Sequence, residues 1–155
     1  MHDNLVGIPF CMGTDDCFGL SRKYFKQNFD LDILDYARPH DWDADKLNLI
    51  EQCHEHAGFE KITLWKAKDL RPGDVLAMAI GSSNPNHFAI YVGDNLIIHH
   101  LSNRLSNEEM YRDFWQSVTC YLLRHPSIPD LRPVYPDIDI TELLRARLDF
   151  APKPD

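Results

Sequence analysis

Three side chains in this sequence have the types and spacing for nucleophilic chemistry: Cys17, His87 and His99. Cys17 follows two acids, Asp15 and Asp16, and precedes a run with apolar or aromatic residues at Leu20, Tyr24, Phe25 and Phe29. Positions i, i+4, i+5 and i+9 share one face of a helix, so the spacing predicts a helix reaching Phe29. Asp15 or Asp16 is its N-cap, which places Cys17 in the first turn. The unpaired N–H groups and positive dipole end of that turn favour an anion, and a thiolate is one. A cysteine whose pKa is lowered in this way, with a base beside it, is a nucleophile.

The base is expected much further along the chain. Two β-rich runs, from His87 to Val92 and from Leu96 to His100, flank Gly93-Asp94-Asn95, a hairpin signature. A turn centred near Gly93 sets His87 directly opposite His99. A register shifted by two residues still leaves both on one face, because their separation is even. Opposed residues have Cβ atoms about 5 Å apart, close enough for one imidazole to orient the other. His87 then abstracts the Cys17 proton while His99 holds its ring, completing a nucleophile, a base and an orienter. His100 is an odd number of residues from His87, points to the other face, and reads as a surface or packing residue.

Together these stretches resemble a family. Phe10-Cys11-Met12-Gly13, Asp16-Cys17-Phe18-Gly19-Leu20, His87-Phe88-Ala89-Ile90-Tyr91-Val92-Gly93 and His99 occur in the order found in the NlpC/P60 cysteine peptidases. That papain-like family cuts cell-wall peptides. Leu70-Arg71-Pro72-Gly73-Asp74-Val75-Leu76 matches the family's lead into its sheet, and the resemblance runs over about residues 5 to 124. It implies a Cys-His-His triad of Cys17, His87 and His99, with peptidoglycan stem peptides as substrate. The bond cut would join a D-glutamyl group to a diamino acid, and the chemistry needs no cofactor or metal. Phe10, Asp16 and Phe18 in these motifs, and Trp42 in the loop after the first helix, are the expected substrate contacts; Tyr36 lies in the same loop. Phe10 stands where many members carry a tyrosine whose hydroxyl lies in the active site. Oxyanion stabilisation is therefore expected from backbone N–H groups at the helix start. The loop between Gly13 and Cys17 is also shorter than in bacterial cell-wall members.

A narrower resemblance rests on His99 to Ser106, Phe114-Trp115-Gln116 and Leu123-Arg124. These are similar to the peptidase part of tail-tip assembly proteins of long-tailed phages. The resemblance implies tail-tip or hub proteins as partners and the virion tail tip as location. The protein would be made in the host cytoplasm and act in the host cell wall to aid genome entry. Two other readings stay open: a structural tail-assembly component whose peptidase site is weak or dormant, and an acyltransferase or amidase on the same fold.

Composition fits this picture. The chain has 155 residues, one domain's worth, and an ordinary apolar share. Its formal net charge of −8 argues against a nucleic-acid binder, which usually shows a basic patch. No apolar run is long enough for a membrane span, and Met1-His2-Asp3-Asn4 shows no signal-peptide pattern. Four cysteines suggest no disulfide framework in a chain this long. Cys53-His54-Glu55-His56 hints at zinc, but on a helix residues 53 and 56 share a face that 54 does not, and no second ligand pair follows at zinc-finger spacing.

The elements that position these residues can be laid out in order. Leu5 to Gly13 approaches the site in extended form, and Leu31 to Trp42 is a cleft-shaping loop. Asp43-Ala44-Asp45 opens a second helix that carries Leu47, Ile50, Cys53 and His54 or Ala57 on one side and ends at Gly58. Lys61 to Trp65 and Val75 to Ile80 read as strands, followed by the histidine hairpin. Ser106-Asn107-Glu108-Glu109 fits a capping box, predicting a short helix to Trp115. Ser117 to Leu123 reads as the last strand. The result is an α+β, papain-like domain over residues 1–125, with N-terminal helices packed on a mostly antiparallel sheet. Residues 126–155 form a Pro-rich extension punctuated by Pro126, Pro129, Pro133 and Pro136. It is expected to be extended rather than packed, with a short helix from Asp139 to Leu148 carrying Leu143, Leu144 and Leu148 on a stripe. That extension either covers an edge of its own domain or straps it to another protein.

Overall fold

The computed structural model describes residues 2–38, 48–133 and 141. Its first helix, α1 (Cys17–Phe29), is built as the local sequence demands. Asp16 is the N-cap, and its Oδ1 accepts the Gly19 N–H at 2.8 Å, satisfying one of the donors that a helix start leaves unpaired. Leu20, Tyr24 and Phe25 form the buried stripe, with Phe29 packed partly buried beside them. The helix ends at Asp30, whose φ of 50° lies in the left-handed region that aspartate tolerates. Within the described residues the second helix, α2, is Leu49–Cys53, capped by Asn48 through a hydrogen bond from the Glu51 N–H. The expected opening at Asp43-Ala44-Asp45 lies outside the described residues, as does most of the expected Asp139–Leu148 helix.

Among the described residues six strands make one antiparallel sheet: β1 (Glu60–Ile62), β2 (Val75–Met78), β3 (His87–Gly93), β4 (Leu96–His99), β5 (Asn107–Met110) and β6 (Thr119–Arg124). Their order is β1-β6-β2-β3-β4-β5, so the α+β class with helices on an antiparallel sheet describes this chain. Both faces are covered. Val75, Ala77, Ile90, Ile98 and Leu123 face Leu20, Tyr24 and Phe25 of α1 and Ile50 of α2. On the other face, Leu76, Met78, Ala89, Ile97 and Leu122 pack with Tyr111 and with Trp115 of a third helix, α3 (Phe114–Val118). Burial on both sides is why β2 reads as an unbroken apolar run rather than an alternating one.

Two local expectations give way to tertiary pairing. Ser106 to Glu109 opens no helix: Asn107–Met110 pairs along β4 as an edge strand. The Ser106 hydroxyl, which a capping box would need, instead accepts the Ile8 N–H at 2.8 Å. Helix begins only at Phe114 and runs through Ser117 and Val118, so the last strand starts at Thr119. The Pro-rich segment is also packed where it is described. Ile128 joins the α1-side core, Asp130 pairs with Arg71 at 3.2 Å, and Arg132 donates to the Lys68 carbonyl at 3.1 Å.

Candidate active site

The site starts from the tight turn ahead of α1. A Cβ on Gly19 would stand 2.0 Å from the Thr14 carbonyl oxygen, so only glycine fits two residues after the cysteine. Asp16 is buried and fully engaged. Besides capping α1, it accepts the Gly13 N–H at 2.8 Å and the Arg38 Nε–H at 2.7 Å. Arg38 also donates to the carbonyls of Gly13 at 2.6 Å and Tyr36 at 2.7 Å and lies over the Phe18 ring. It thereby ties the turn that leads into Cys17 to the loop after α1. Sequence reasoning missed Arg38, since nothing local marks a residue that acts across 22 positions.

Cys17 is buried in the first turn of α1. The expected lowering of its pKa is not found: burial pushes the thiol up to about 12, with the Asp16 carboxylate adding to the rise. Main-chain hydrogen bonds from Phe88 and Phe18, and the Arg38 guanidinium, act in the opposite direction. The helix dipole is real, but here it is outweighed by desolvation of a charged sulfur. The Phe88 contact sets Cys17 against the first residues of β3, where His87 begins the strand.

The histidine hairpin turns on Asp94 and Asn95, with φ 48° and 60°, the backbone that a two-residue hairpin turn requires. A bulge between Tyr91 and Gly93 then sets Ala89, not His87, opposite His99. The direct pairing expected from the sequence is therefore shifted by two residues, and His87 lies diagonally from His99. With that bulge the two histidines fall on a common face, and His87 Nε2 lies 3.1 Å from His99 Nδ1. That face carries Ala89 and Trp115, whereas α1 covers the face of Ile90 and Ile98. Cys17 and the histidines thus belong to opposite layers that come together at the start of β3. Burial, reinforced by repulsion from His99 and His100, pushes His87 down to about 3. His99 is likewise lowered, chiefly by burial, although Glu109 works against that shift. The resting site is therefore a neutral thiol near a neutral imidazole pair.

Glu109 is the second residue that the sequence did not disclose. As part of β5 it stands 3.4 Å from His99 Nε2 and accepts the Trp115 indole N–H at 3.0 Å. The Trp115 ring in turn packs edge-on against His99, with centroids 4.5 Å apart. A cleft of about 550 Å³, walled by Val6, Leu101, Leu105 and Glu109, opens at His99. His100 is buried on the opposite face, where its Nε2 bonds the Arg104 carbonyl and its ring meets the edge of Phe10. Of the expected substrate contacts, Phe10 is half-buried on His100, and Phe18 is half-buried between Tyr36 and Phe88. Trp42 lies outside the described residues. Among the described residues no group of three or more His, Cys, Asp or Glu side chains is placed to hold a metal ion, and no helix is long and apolar enough to cross a membrane.

Comparison with known proteins gives a consistent result. The sequence model of the NlpC/P60 family matches residues 7–124. The chain is 38% identical over 122 residues to tail tip assembly protein K of Escherichia phage lambda, covering 79% of this chain and 59% of that protein. It is 28% identical over 126 residues to tail tip assembly protein K of Escherichia phage N15, covering 80% and 50%. The chain thus spans little more than half the length of these relatives. Among solved structures, the NlpC/p60 domain of the peptidoglycan hydrolase SagA superposes with a TM-score of 0.51 at 21% identity, covering 78% of this chain and 90% of that one. NlpC1 from Trichomonas vaginalis gives a TM-score of 0.51 at 20% identity, covering 77% and 39%.

Proposed function

The chain belongs to the NlpC/P60 family, and on that premise we propose that it is a cysteine endopeptidase of a phage tail tip that cuts peptidoglycan stem peptides. The observation that carries this reading is the constellation at the start of β3. A cysteine in the first turn of a capped helix touches the main chain beside a buried histidine, whose far nitrogen is held by a second histidine. His87 Nε2 is taken up by His99, which leaves Nδ1 as the nitrogen for the thiol.

In the proposed reaction the Cys17 sulfur attacks the scissile carbonyl carbon as its proton passes to His87 Nδ1. Because both groups rest neutral, charge forms as a pair, thiolate with imidazolium, within the attack itself. Helix N–H groups not taken by Asp16, that of Cys17 among them, are the donors offered to the developing oxyanion. The C–N bond then breaks, the leaving amine takes the proton from His87, and a thioester remains. Water, deprotonated by His87, attacks the thioester and releases the acid product and Cys17. His99 holds the ring of His87 throughout. Asp16 and Arg38 hold the turn that aims Cys17, and Phe10 and Phe18 contact the substrate. By analogy with the phage relatives, the neighbours are tail-tip or hub proteins, and the action falls in the host cell wall at genome entry. The bond proposed is the D-glutamyl to diamino-acid linkage, and no cofactor is required.

A second reading, a structural tail-tip component with a dormant site, draws support from the high thiol pKa and from Phe10 in place of a hydroxyl-bearing residue. Incubation of the protein with muropeptides, followed by mass spectrometry for a new amine terminus, separates the two. We expect cleavage by the parent and none by Cys17→Ala with an unchanged melting transition. Equal cleavage by both would remove the nucleophile assignment, and cleavage by neither would favour the structural reading.

A further inference from the structure

We propose that Glu109 is a positioning residue of the site, one that fixes the proton arrangement of both histidines from the far end of the chain of hydrogen bonds. The inference rests on the cysteine-peptidase reading above and deepens it. It follows from counting donors and acceptors. A neutral imidazole has one N–H donor and one bare nitrogen acceptor, whereas a carboxylate only accepts. Glu109 keeps its charge, because the Trp115 indole N–H and the Asn107 amide both donate to it, at 3.0 and 3.2 Å. The nitrogen of His99 that faces Glu109, Nε2 at 3.4 Å, must therefore carry the proton. Nδ1 of His99 is then bare and accepts. Its partner at 3.1 Å, His87 Nε2, must donate. A single proton remains for each ring, so Nδ1 of His87 is bare, the state that a base toward Cys17 requires.

Replacing the carboxylate removes the fixed acceptor that sets this sequence at the His99 end. With no acceptor at Glu109, each ring can place its proton on either nitrogen, and half of the arrangements leave His87 Nδ1 already protonated. The geometry of β5 supports a dedicated role. Ile97 pairs with Glu109 and His99 pairs with Asn107, so both β5 side chains share the histidine face. Trp115 contributes twice, by its ring against His99 and by its N–H on Glu109. The 3.4 Å contact is the longest of the four, and it shortens as imidazolium charge spreads toward His99 during the attack.

The test uses the full chain labelled with ¹⁵N-histidine. Long-range ¹H–¹⁵N spectra report which nitrogen of each ring is protonated, whether or not the protein hydrolyses anything. We expect the Nε2–H form for His99 and for His87 in the parent. In Glu109→Met, which keeps length but removes the acceptor, both should show mixed forms. Glu109→Gln, which retains an acceptor oxygen, should restore most of the parent pattern. With muropeptides as substrate, Glu109→Met should lower kcat at least about tenfold with KM within about twofold, and Glu109→Gln should fall between it and the parent. A parent His99 protonated at Nδ1, or a Glu109→Met spectrum identical to the parent's, overturns the assignment. Tautomers that respond as expected in a parent that cleaves nothing would uphold the role of Glu109 and count against the endopeptidase reading instead.

Discussion

Burial of His87 makes a quantitative demand on the stability of the domain. The imidazole is neutral in the folded chain, pushed down to about 3 by burial and by the neighbouring His99 and His100. In the unfolded chain it titrates near its ordinary value of about 6.5. Between these limits the unfolded state binds one more proton than the folded state, so stability rises with pH across that window and is lost as pH falls. The slope for one group is on the order of 1 kcal/mol per pH unit, so by about pH 4.5 His87 alone costs the fold roughly 2 to 3 kcal/mol. Carboxylates with lowered pKa, such as Asp15, Glu51 and Glu109, act in the same direction from about pH 5.5 downward, where their unfolded forms begin to protonate, and they do so equally in parent and variant. The difference between the parent and a variant lacking His87 therefore isolates the histidine. Urea unfolding followed by tryptophan fluorescence at about pH 7.5, 6 and 4.5 gives the parent curve, and His87→Gln gives the comparison. The variant should lose less stability than the parent over this range, the two curves converging by on the order of 1 kcal/mol per pH unit. His99 remains in both and contributes a shared background. Parallel curves from about pH 6.5 to pH 4.5 would mean that His87 is not a buried neutral base, and the resting state argued here would be wrong.

The adjacent histidines should separate cleanly: His99→Ala should lower kcat at least about a hundredfold by freeing the His87 ring. His100→Ala should alter kcat less than about threefold yet cost about 2 kcal/mol of stability, since it empties a buried ring position against Phe10. If muropeptide kinetics and denaturation show the reverse, the assignment of faces fails. Arg38→Ala strips a buried cation from Asp16 and should destabilise the fold by about 3 kcal/mol, measured by urea unfolding. A loss within about 0.5 kcal/mol would show that the capping N–H groups alone hold the Asp16 charge.

Much of the fold was legible because it is written locally. Asp16, Cys17 and the Leu20, Tyr24, Phe25 stripe specify α1 within one stretch of chain, and Asp94-Asn95 specify the turn between β3 and β4. The errors fall where a local signal meets a distant partner. Ser106 has the form of a helix cap, but its hydroxyl serves Ile8, and the β4 edge offers Asn107–Met110 a ladder that a short helix cannot match. The turn falls on Asp94-Asn95 rather than at Gly93, and the one-residue bulge near Val92 takes back one position of that shift, leaving a net slip of two; such a bulge has no dependable sequence mark when the residues around it are all β-formers. Without the bulge, the Gly93–Leu96 pairing would run on to set Ile90 opposite His99 and leave the two histidines on opposite faces, so the bulge is what keeps them together.

The same division runs through the site. Cys17, His87 and His99 could be read because each is a reactive type at a motif position, and parity alone joined the two histidines. Arg38 and Glu109 could not, because each is an ordinary surface-type residue whose role exists only once the sheet and the loop have closed. They nevertheless govern the properties that the motif residues cannot set for themselves. Arg38 supplies the counter-charge that allows Asp16 to be buried beside Cys17, and Glu109 supplies a fixed acceptor beside two rings that are otherwise symmetric in their protons. A buried Cys-His pair held neutral by desolvation gains its direction from such partners. Without them, burial would only silence it. On the proposed reading the motif residues supply the chemistry, while Arg38 holds the turn that carries Cys17 and Glu109 selects the nitrogen of His87 that serves as base.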